Sequence, residues 1–451
     1  MTRLAEGMNH LLWGAPALIL ILGVGLYLTI RLGAVQLTLF PRAVKAFFAQ
    51  LRKRGGGEGV SSFQAMCTAL GATVGTGNLV GVAGAICLGG PGAIFWMWLC
   101  GLLGMATKFA EATLAVRYRV NAKDGWRGGP MYTMVGGLGS RWKGAAKLYS
   151  LFGVTAAFGV GNATQINAIT TSVRALLPQF GAVLMPMGDW LLGLILAALV
   201  AVLLFGGAGR IGAAAEMLVP FAAGGYILLC TGVLAVKAQA IPAALSSIVQ
   251  GAFSPRAVTG GALGSAFQAL RIGCSRGVFT NEAGMGTASI AHAAAEVDHP
   301  CQQGLMGIME VFLDTIVICT LTALVILVSG VPIPYGKDVG GELTTLAFSG
   351  IFGTGAAVYL TSSLILFALA TILGWGLYGA RCAEFLFGKA AWKWFALAQT
   401  AMVLFGAVAD TGAVWALAET VNGLMVLPNL ITLAALTPEL CRLTKEYKKI
   451  R

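Results

Sequence analysis

The sequence predicts an all-α integral membrane protein of eleven transmembrane helices. Three observations carry that expectation: the composition, the length of the apolar stretches, and the placement of the basic residues. Of 451 residues, 57% are hydrophobic and 11% charged, less than half the roughly 25% charge of soluble domains. Apolar stretches of the roughly 20 residues needed to cross a bilayer recur near 11–30, 62–88, 92–118, 145–173, 186–206, 211–236, 261–293, 303–330, 355–383, 391–409 and 413–436. So much of the chain lies in them that no soluble catalytic domain is left over.

A net charge of +12 would suit nucleic acid if it formed one patch, but it does not. Basic residues cluster in alternate loops, as the positive-inside rule requires. The loop after the first span holds Arg31, Arg42, Lys45, Arg52, Lys53 and Arg54, and with that loop cytoplasmic, 22 of the 30 lysines and arginines lie inside and five outside. The expected topology is multi-pass, N-terminus out and C-terminus in, in a cytoplasmic (inner) membrane. The bilayer is the expected surrounding; no nucleic acid and no obligatory protein partner are expected.

The first apolar segment is too long for a signal peptide and is stopped by Arg31 without a small-residue cleavage site, so it reads as a retained helix. Residues 1–60 then form this helix and a cytoplasmic amphipathic hinge. The stretch Ala43–Leu51 is its interfacial part, and Arg52–Glu58 its charged, glycine-rich end. Residues 61–236 hold five spans, 237–260 an external connection, 261–437 five more spans, and 438–451 a basic cytoplasmic tail. Five is odd, so the second block runs through the membrane in the opposite sense to the first, which makes an inverted repeat. Gly125–Tyr132 reads as a structured cytoplasmic turn. The nine cysteines show no C-x-x-C spacing and the three histidines, His10, His292 and His299, form no ligand cluster, so no metal site or cofactor is implied.

Each block begins with a glycine-broken span: Gly71-Ala-Thr-Val-Gly-Thr-Gly-Asn-Leu-Val-Gly81, and Gly273-Cys-Ser-Arg-Gly-Val-Phe-Thr-Asn-Glu-Ala-Gly-Met-Gly286. Glycine costs about 1 kcal/mol in a helix interior, and unpaired backbone survives at membrane depth only where it lines a cavity. Paired interruptions in two halves point to the binding site of a secondary transporter. At the first break, a fresh half-helix beginning near Asn78 offers free N–H groups to a carboxylate, and carbonyls released before it suit a small hard cation. Close packing through small-xxx-small spacing is the competing reading.

The second break carries Arg276, Asn281 and Glu282, costly groups at this depth. Arg276 and Glu282 either pair with each other, anchor the unwound backbone or contact the ligand directly, while Phe279 and Met285 would wall a small aliphatic side chain. In the ninth span Thr371 and Trp375 share a face at i, i+4. The Thr371 hydroxyl either completes a cation site or bonds back to its own helix; Trp375 would close the pocket. Asn162 and Gln165 either line the same cavity or glue helices together. Lys108 and Glu111 are expected to pair. Glu310 and Asp314 share a face and either serve protons or partner buried basic groups, whereas Glu216 and Glu419 have no assignable role. Gly273-Cys-Ser275-Arg-Gly277 matches the G-x-S-x-G nucleophile pattern, which makes an intramembrane serine hydrolase a second hypothesis. It requires a histidine beside Ser275, and none is placed there by the spacing.

Several motifs together resemble the alanine or glycine:cation symporter family, often called sodium:alanine symporters. They are Gly75-Thr-Gly-Asn-Leu-Val-Gly-Val-Ala83, Gly89-Gly-Pro-Gly-Ala-Ile-Phe-Trp-Met-Trp98, Lys108-Phe-Ala-Glu111, Gly128-Gly-Pro-Met-Tyr132, Arg276 through Gly286, Thr371-Ile-Leu-Gly-Trp375 and Tyr378 through Glu384. The resemblance implies a leucine-transporter-type fold, a 5+5 inverted repeat with one extra N-terminal helix, and a symporter rather than an enzyme. It implies uptake of a small neutral amino acid such as alanine or glycine with sodium, or less often with a proton. Carried onto this chain, Na+ would sit among Gly71, Val74, Phe367 and Thr371. The substrate carboxylate would meet Thr76, Gly77 and Asn78, and Gln165, Phe279, Asn281, Met285 and Trp375 would surround the remainder. Position 370 is Ala where relatives often have Ser, which removes one hydroxyl from the expected cation ligands.

Overall fold

The computed structural model describes residues 15–52, 59–122, 125–180, 186–254, 265–337, 341–408 and 412–450. His10, most of the hinge at 52–58 and the side chain of Glu419 lie outside the described residues.

Helix α1 (Ala15–Arg31) ends on Arg31, where the apolar stretch meets its first charge. Helix α2 (Phe40–Arg52) occupies the stretch read as interfacial and leaves Phe48 and Leu51 exposed, as a helix lying along a lipid surface would. Ser61 starts α3 (Ser62–Thr73) with a capping box, its side chain accepting from the Gln64 amide while Gln64 bonds back. After the first break the chain continues as a π-helical turn, Gly77–Gly81, and α4 (Val82–Gly89), bent 49° from α3. Helix α5 (Gly92–Arg117) returns.

The stretch read as a turn is a two-stranded hairpin followed by a short helix: β1 (Val120–Ala122), β2 (Gly125–Arg127) and α6 (Pro130–Leu138), with Val120 opposite Arg127. Helices α7 (Lys143–Phe158) and α8 (Thr164–Leu176) are joined by a π turn at Gly159–Ala163. Helices α9 (Pro186–Phe205), α10 (Gly207–Val236) and α11 (Ile241–Phe253) come next. The second broken segment is α12 (Ala266–Asn281) and α13 (Thr287–His292). Beyond it, α14 (Pro300–Val311) and α15 (Thr320–Val328) are joined by a π-helical stretch, Phe312–Cys319. The chain ends with α16 (Glu342–Phe352), α17 (Thr354–Phe387), α18 (Ala391–Val408), α19 (Gly412–Ala435) and α20 (Thr437–Lys449).

Six of the described helices are long and apolar enough to cross a membrane, and eight if each bent pair is one span. Exposed Ile19, Leu194, Phe221, Leu228 and Leu397 mark lipid-facing surface. The core comprises three apolar clusters, and α3 contributes to each: Leu70 to one, together with Val74 just beyond the helix, Ala69 and Ala72 to the second, Met66 and Cys67 to the third. The first break therefore lies where the clusters meet.

Candidate functional site at the paired helix breaks

The last regular bond of α3 runs from the Val74 amide to the Leu70 carbonyl, and Val74 is extended (φ −75°, ψ 109°). Asn78 shapes the unwound stretch beyond it. Its Oδ1 accepts from the Gly75 N–H at 3.0 Å, and its own N–H turns to the Gly75 carbonyl rather than to that of Val74. Gly77 opens a new helical turn, and the start of a helix is where N–H groups lack intrahelical acceptors. The Asn78 amide donates to Asp314 Oδ1 at 2.8 Å, so this side chain holds the break instead of lining the cavity.

Thr371 Oγ1 lies 2.9 Å from the Gly71 carbonyl and 3.0 Å from that of Phe367. Thr371 thus bonds back to its own helix, as one of its two readings had it, and also reaches the first break. Two carbonyls and a hydroxyl from two helices thus converge, and an all-oxygen set of this kind fits a small hard cation. Ala370 faces the same point with a methyl group, 3.1 Å from where a Cβ on Gly71 would stand.

At the second break Glu282 takes a left-handed conformation (φ 53°) after α12 ends, and Gly284 and Gly286 have φ 97° and 81°, angles that glycine adopts without steric cost. The unwound backbone is held by Glu111, whose Oε1 accepts from the Gly284 and Gly286 amides at 2.9 and 3.1 Å and from Asn429 at 2.8 Å. Glu111 therefore does not pair with Lys108. Lys108 reaches Glu310 at 3.2 Å, and His292 bonds the other Glu310 oxygen at 2.7 Å; an anchor serving two backbone amides displaces the simpler i, i+3 pairing. Glu282 does not pair with Arg276 either: its oxygens accept from Trp375 Nε1 at 3.2 Å and Thr287 Oγ1 at 2.6 Å.

These elements enclose a cavity of about 20 Å³, lined by Ala72, Thr73, Gly75, Thr76, Gly77, Val160, Gln165, Phe279, Glu282, Thr371, Trp375 and Asn422. That space holds roughly one water, so a larger ligand requires its walls to move. Two of the lining acceptors, Gln165 Oε1 and Asn422 Oδ1, are buried without a hydrogen-bond partner. Trp375 is placed by Gly161, where any Cβ would collide with that of the tryptophan. A larger cavity of about 470 Å³ opens beside Leu79 and Val80, between α8, α16 and the start of α17. Thr344 on α16 ties this wall to the first break by donating to the Leu79 carbonyl at 2.8 Å.

Of the expected site residues, Thr76, Gly77, Gln165, Phe279, Thr371 and Trp375 meet at the cavity, with Gly71 and Phe367 beside Thr371 and Val74 next in the chain. Asn281 is outside the lining, bonded to the Ala283 amide and Thr315. Met285 packs in the third cluster while its carbonyl accepts from Tyr149. Asn162 acts as glue, donating to the Gln399 carbonyl at 2.7 Å, and Glu216 accepts from Gln64 at 2.9 Å. Asn422 was not anticipated, although an amide inside the apolar stretch 413–436 was an available signal; Glu282, for which direct ligand contact was one of the readings, lines the cavity. Neither described histidine serves Ser275: His292 bonds Glu310 and Gln303, and His299 caps α14.

This arrangement, two unwound helices around a polar cavity within a multi-pass membrane protein, defines a transporter. The family model for the sodium:alanine symporters matches residues 1–451, and the chain belongs to that family. An uncharacterized transporter of Haemophilus influenzae is 44% identical over 98% of this chain and 95% of its own. The sodium/alanine symporter AgcS of Methanococcus maripaludis is 40% identical over 99% and 97%. Among solved structures, MhsT in complex with L-phenylalanine superimposes with a TM-score of 0.59 at 14% identity, covering 86% of this chain and 99% of that one. The chain thus shares the LeuT-like transporter fold and is not an enzyme.

Proposed function

We propose that this protein is a sodium-coupled symporter that imports a small neutral amino acid, such as alanine or glycine, by alternating access. In this reading eleven spans form a 5+5 inverted repeat after one extra helix, in a cytoplasmic (inner) membrane with the N-terminus outside. The 470 Å³ cavity is then the external approach. The observation that carries the proposal is the polarity of the small cavity. The helical start at Thr76–Gly77 lines the same cavity as the unpartnered acceptors of Gln165 and Asn422 and the carboxylate of Glu282. A zwitterion is the ligand that satisfies both ends: its carboxylate binds the helix N-terminus at Thr76, Gly77 and Asn78, and its ammonium binds the acceptors. Phe279 and Trp375 limit the side chain, with Asn281 and Met285 supporting the second break behind them.

Gly71, Val74, Phe367 and Thr371 supply the Na+ ligands. A membrane potential of about 100 mV contributes roughly 2.3 kcal/mol per charge, and a tenfold sodium gradient about 1.4 more. Together these support accumulation of several hundredfold. Proton coupling is the second reading, favoured by Ala370 standing at the cation site in place of a hydroxyl.

Uptake of labelled alanine into proteoliposomes tests the proposal. Uptake driven by an inward sodium gradient supports it; equal uptake without sodium refutes sodium coupling, and no alanine uptake refutes the substrate class.

A further inference from the structure

Asp314 is fully buried in the π-helical stretch after α14 and is a ligand neither of the proposed sodium ion nor of the proposed amino acid. Its Oδ1 accepts from the Asn78 amide at 2.8 Å, and Asn78 in turn holds the Gly75 N–H of the first break. Its Oδ2 lies 2.8 Å from Thr315 Oγ1, which takes a hydrogen bond from the Asn281 amide at 3.1 Å. Asn281 Oδ1 accepts the Ala283 N–H of the second break at 3.0 Å. One continuous chain of hydrogen bonds therefore joins the two unwound segments, with a carboxyl group at its centre.

That carboxyl has no ion-pair partner among the described residues. The charged and titratable groups on the surrounding elements are Cys319 on its own segment, Cys301 and Glu310 on α14, Cys100, Lys108, Glu111 and Arg117 on α5, and Arg271, Cys274 and Arg276 on α12; α15 and the turn Gly77–Gly81 carry none. Lys108 is engaged by Glu310. An unpaired carboxylate at membrane depth is costly, whereas the same group carrying a proton is not. The geometry accommodates both forms without moving a heavy atom. When ionised, Asp314 accepts the Thr315 hydroxyl hydrogen. When protonated, it donates to Thr315 Oγ1 over the same 2.8 Å, a hydroxyl oxygen being able to accept as well as donate.

We propose that Asp314 is a proton-binding site linked to substrate binding at the paired breaks. This rests on the reading that a substrate carboxylate docks at Thr76–Asn78. An anion there repels ionised Asp314 through Asn78, so substrate binding draws one proton from solution onto Asp314, and the affinity for alanine rises as pH falls.

The test uses the purified full chain in weakly buffered detergent with sodium, following pH on addition of alanine. Wild type takes up protons, up to one per alanine bound. Its alanine affinity also falls by up to roughly tenfold per pH unit towards the alkaline side. Asp314→Asn binds alanine with neither proton uptake nor that pH dependence. If that variant does not fold, Asp314→Glu decides: it retains the uptake with a displaced pH midpoint. Wild type binding alanine without proton uptake overturns the proposal, as does unchanged uptake in Asp314→Asn or an undisplaced midpoint in Asp314→Glu. Failure of wild type to bind alanine at all would instead refute the amino-acid reading of the site.

Discussion

The indole of Trp375 donates to Glu282 Oε1 across 3.2 Å, so the side chain that closes one wall of the cavity also orients the carboxylate exposed by the second helix break. Thr287 holds the other oxygen at 2.6 Å. A fixed carboxylate in the cavity wall is well placed for an ammonium group.

Glu282→Gln keeps an acceptor oxygen for Trp375 and turns an NH2 donor to the Thr287 hydroxyl, which can accept, but removes the charge. Hydrogen bonds to charged groups contribute about 1.5–3 kcal/mol, so alanine affinity should fall about 10- to 100-fold with little change in melting temperature. Equilibrium binding of labelled alanine measures this, and a loss below threefold would remove Glu282 from contact with the ammonium.

Thr371→Ala removes the one hydroxyl of the proposed cation site. The sodium concentration for half-maximal transport should rise about tenfold, the equivalent of one hydrogen-bond-sized contribution. Thr371→Ser should remain near wild type. Unchanged sodium dependence in the alanine variant would take Thr371 out of the site.

Trp375→Ala enlarges the cavity and frees one oxygen of Glu282. Competition assays should then show larger aliphatic amino acids displacing labelled alanine while alanine itself binds more weakly. Unchanged selectivity would mean that another side chain sets the size limit.

Lys108→Ala leaves Glu310 as a buried charge whose remaining described partner is His292. Breaking a buried pair from one side costs about 3–5 kcal/mol, whereas replacing both partners by apolar groups of similar volume costs far less. Thermal unfolding in detergent should show a large loss for Lys108→Ala and substantial recovery for the double replacement of Lys108 and Glu310 by methionine. Additive losses would show that the two residues act independently.

Much of this site was legible in the sequence because its markers are local. Glycine at Gly71, Gly75 and Gly77 announces a broken helix wherever it lies in lipid, and the i, i+4 spacing of Thr371 and Trp375 puts both on one face of any helix. The misplaced pairings share one cause. Lys108 and Glu111 are correctly spaced to meet on α5, yet each has a partner some 170 to 320 residues away: Glu310 for the lysine, and Gly284 and Asn429 for the glutamate. Helical spacing shows which residues share a face, not what another helix presents to that face. Asn281 failed as a cavity residue for the same reason, since the Ala283 amide and Thr315 claim its side chain. The helices α11 and α16 lay in stretches read as connections, too short in apolar length to register as spans.

In the proposed mechanism one cavity between the two breaks holds an amino acid and a sodium ion together. Titrating alanine into the purified protein in sodium, and again with sodium replaced by potassium, tests this most directly. Because coupling is reciprocal, sodium should raise alanine affinity at least about tenfold and alanine should raise sodium affinity by the same factor. Equal alanine affinity in the two salts would contradict the mechanism.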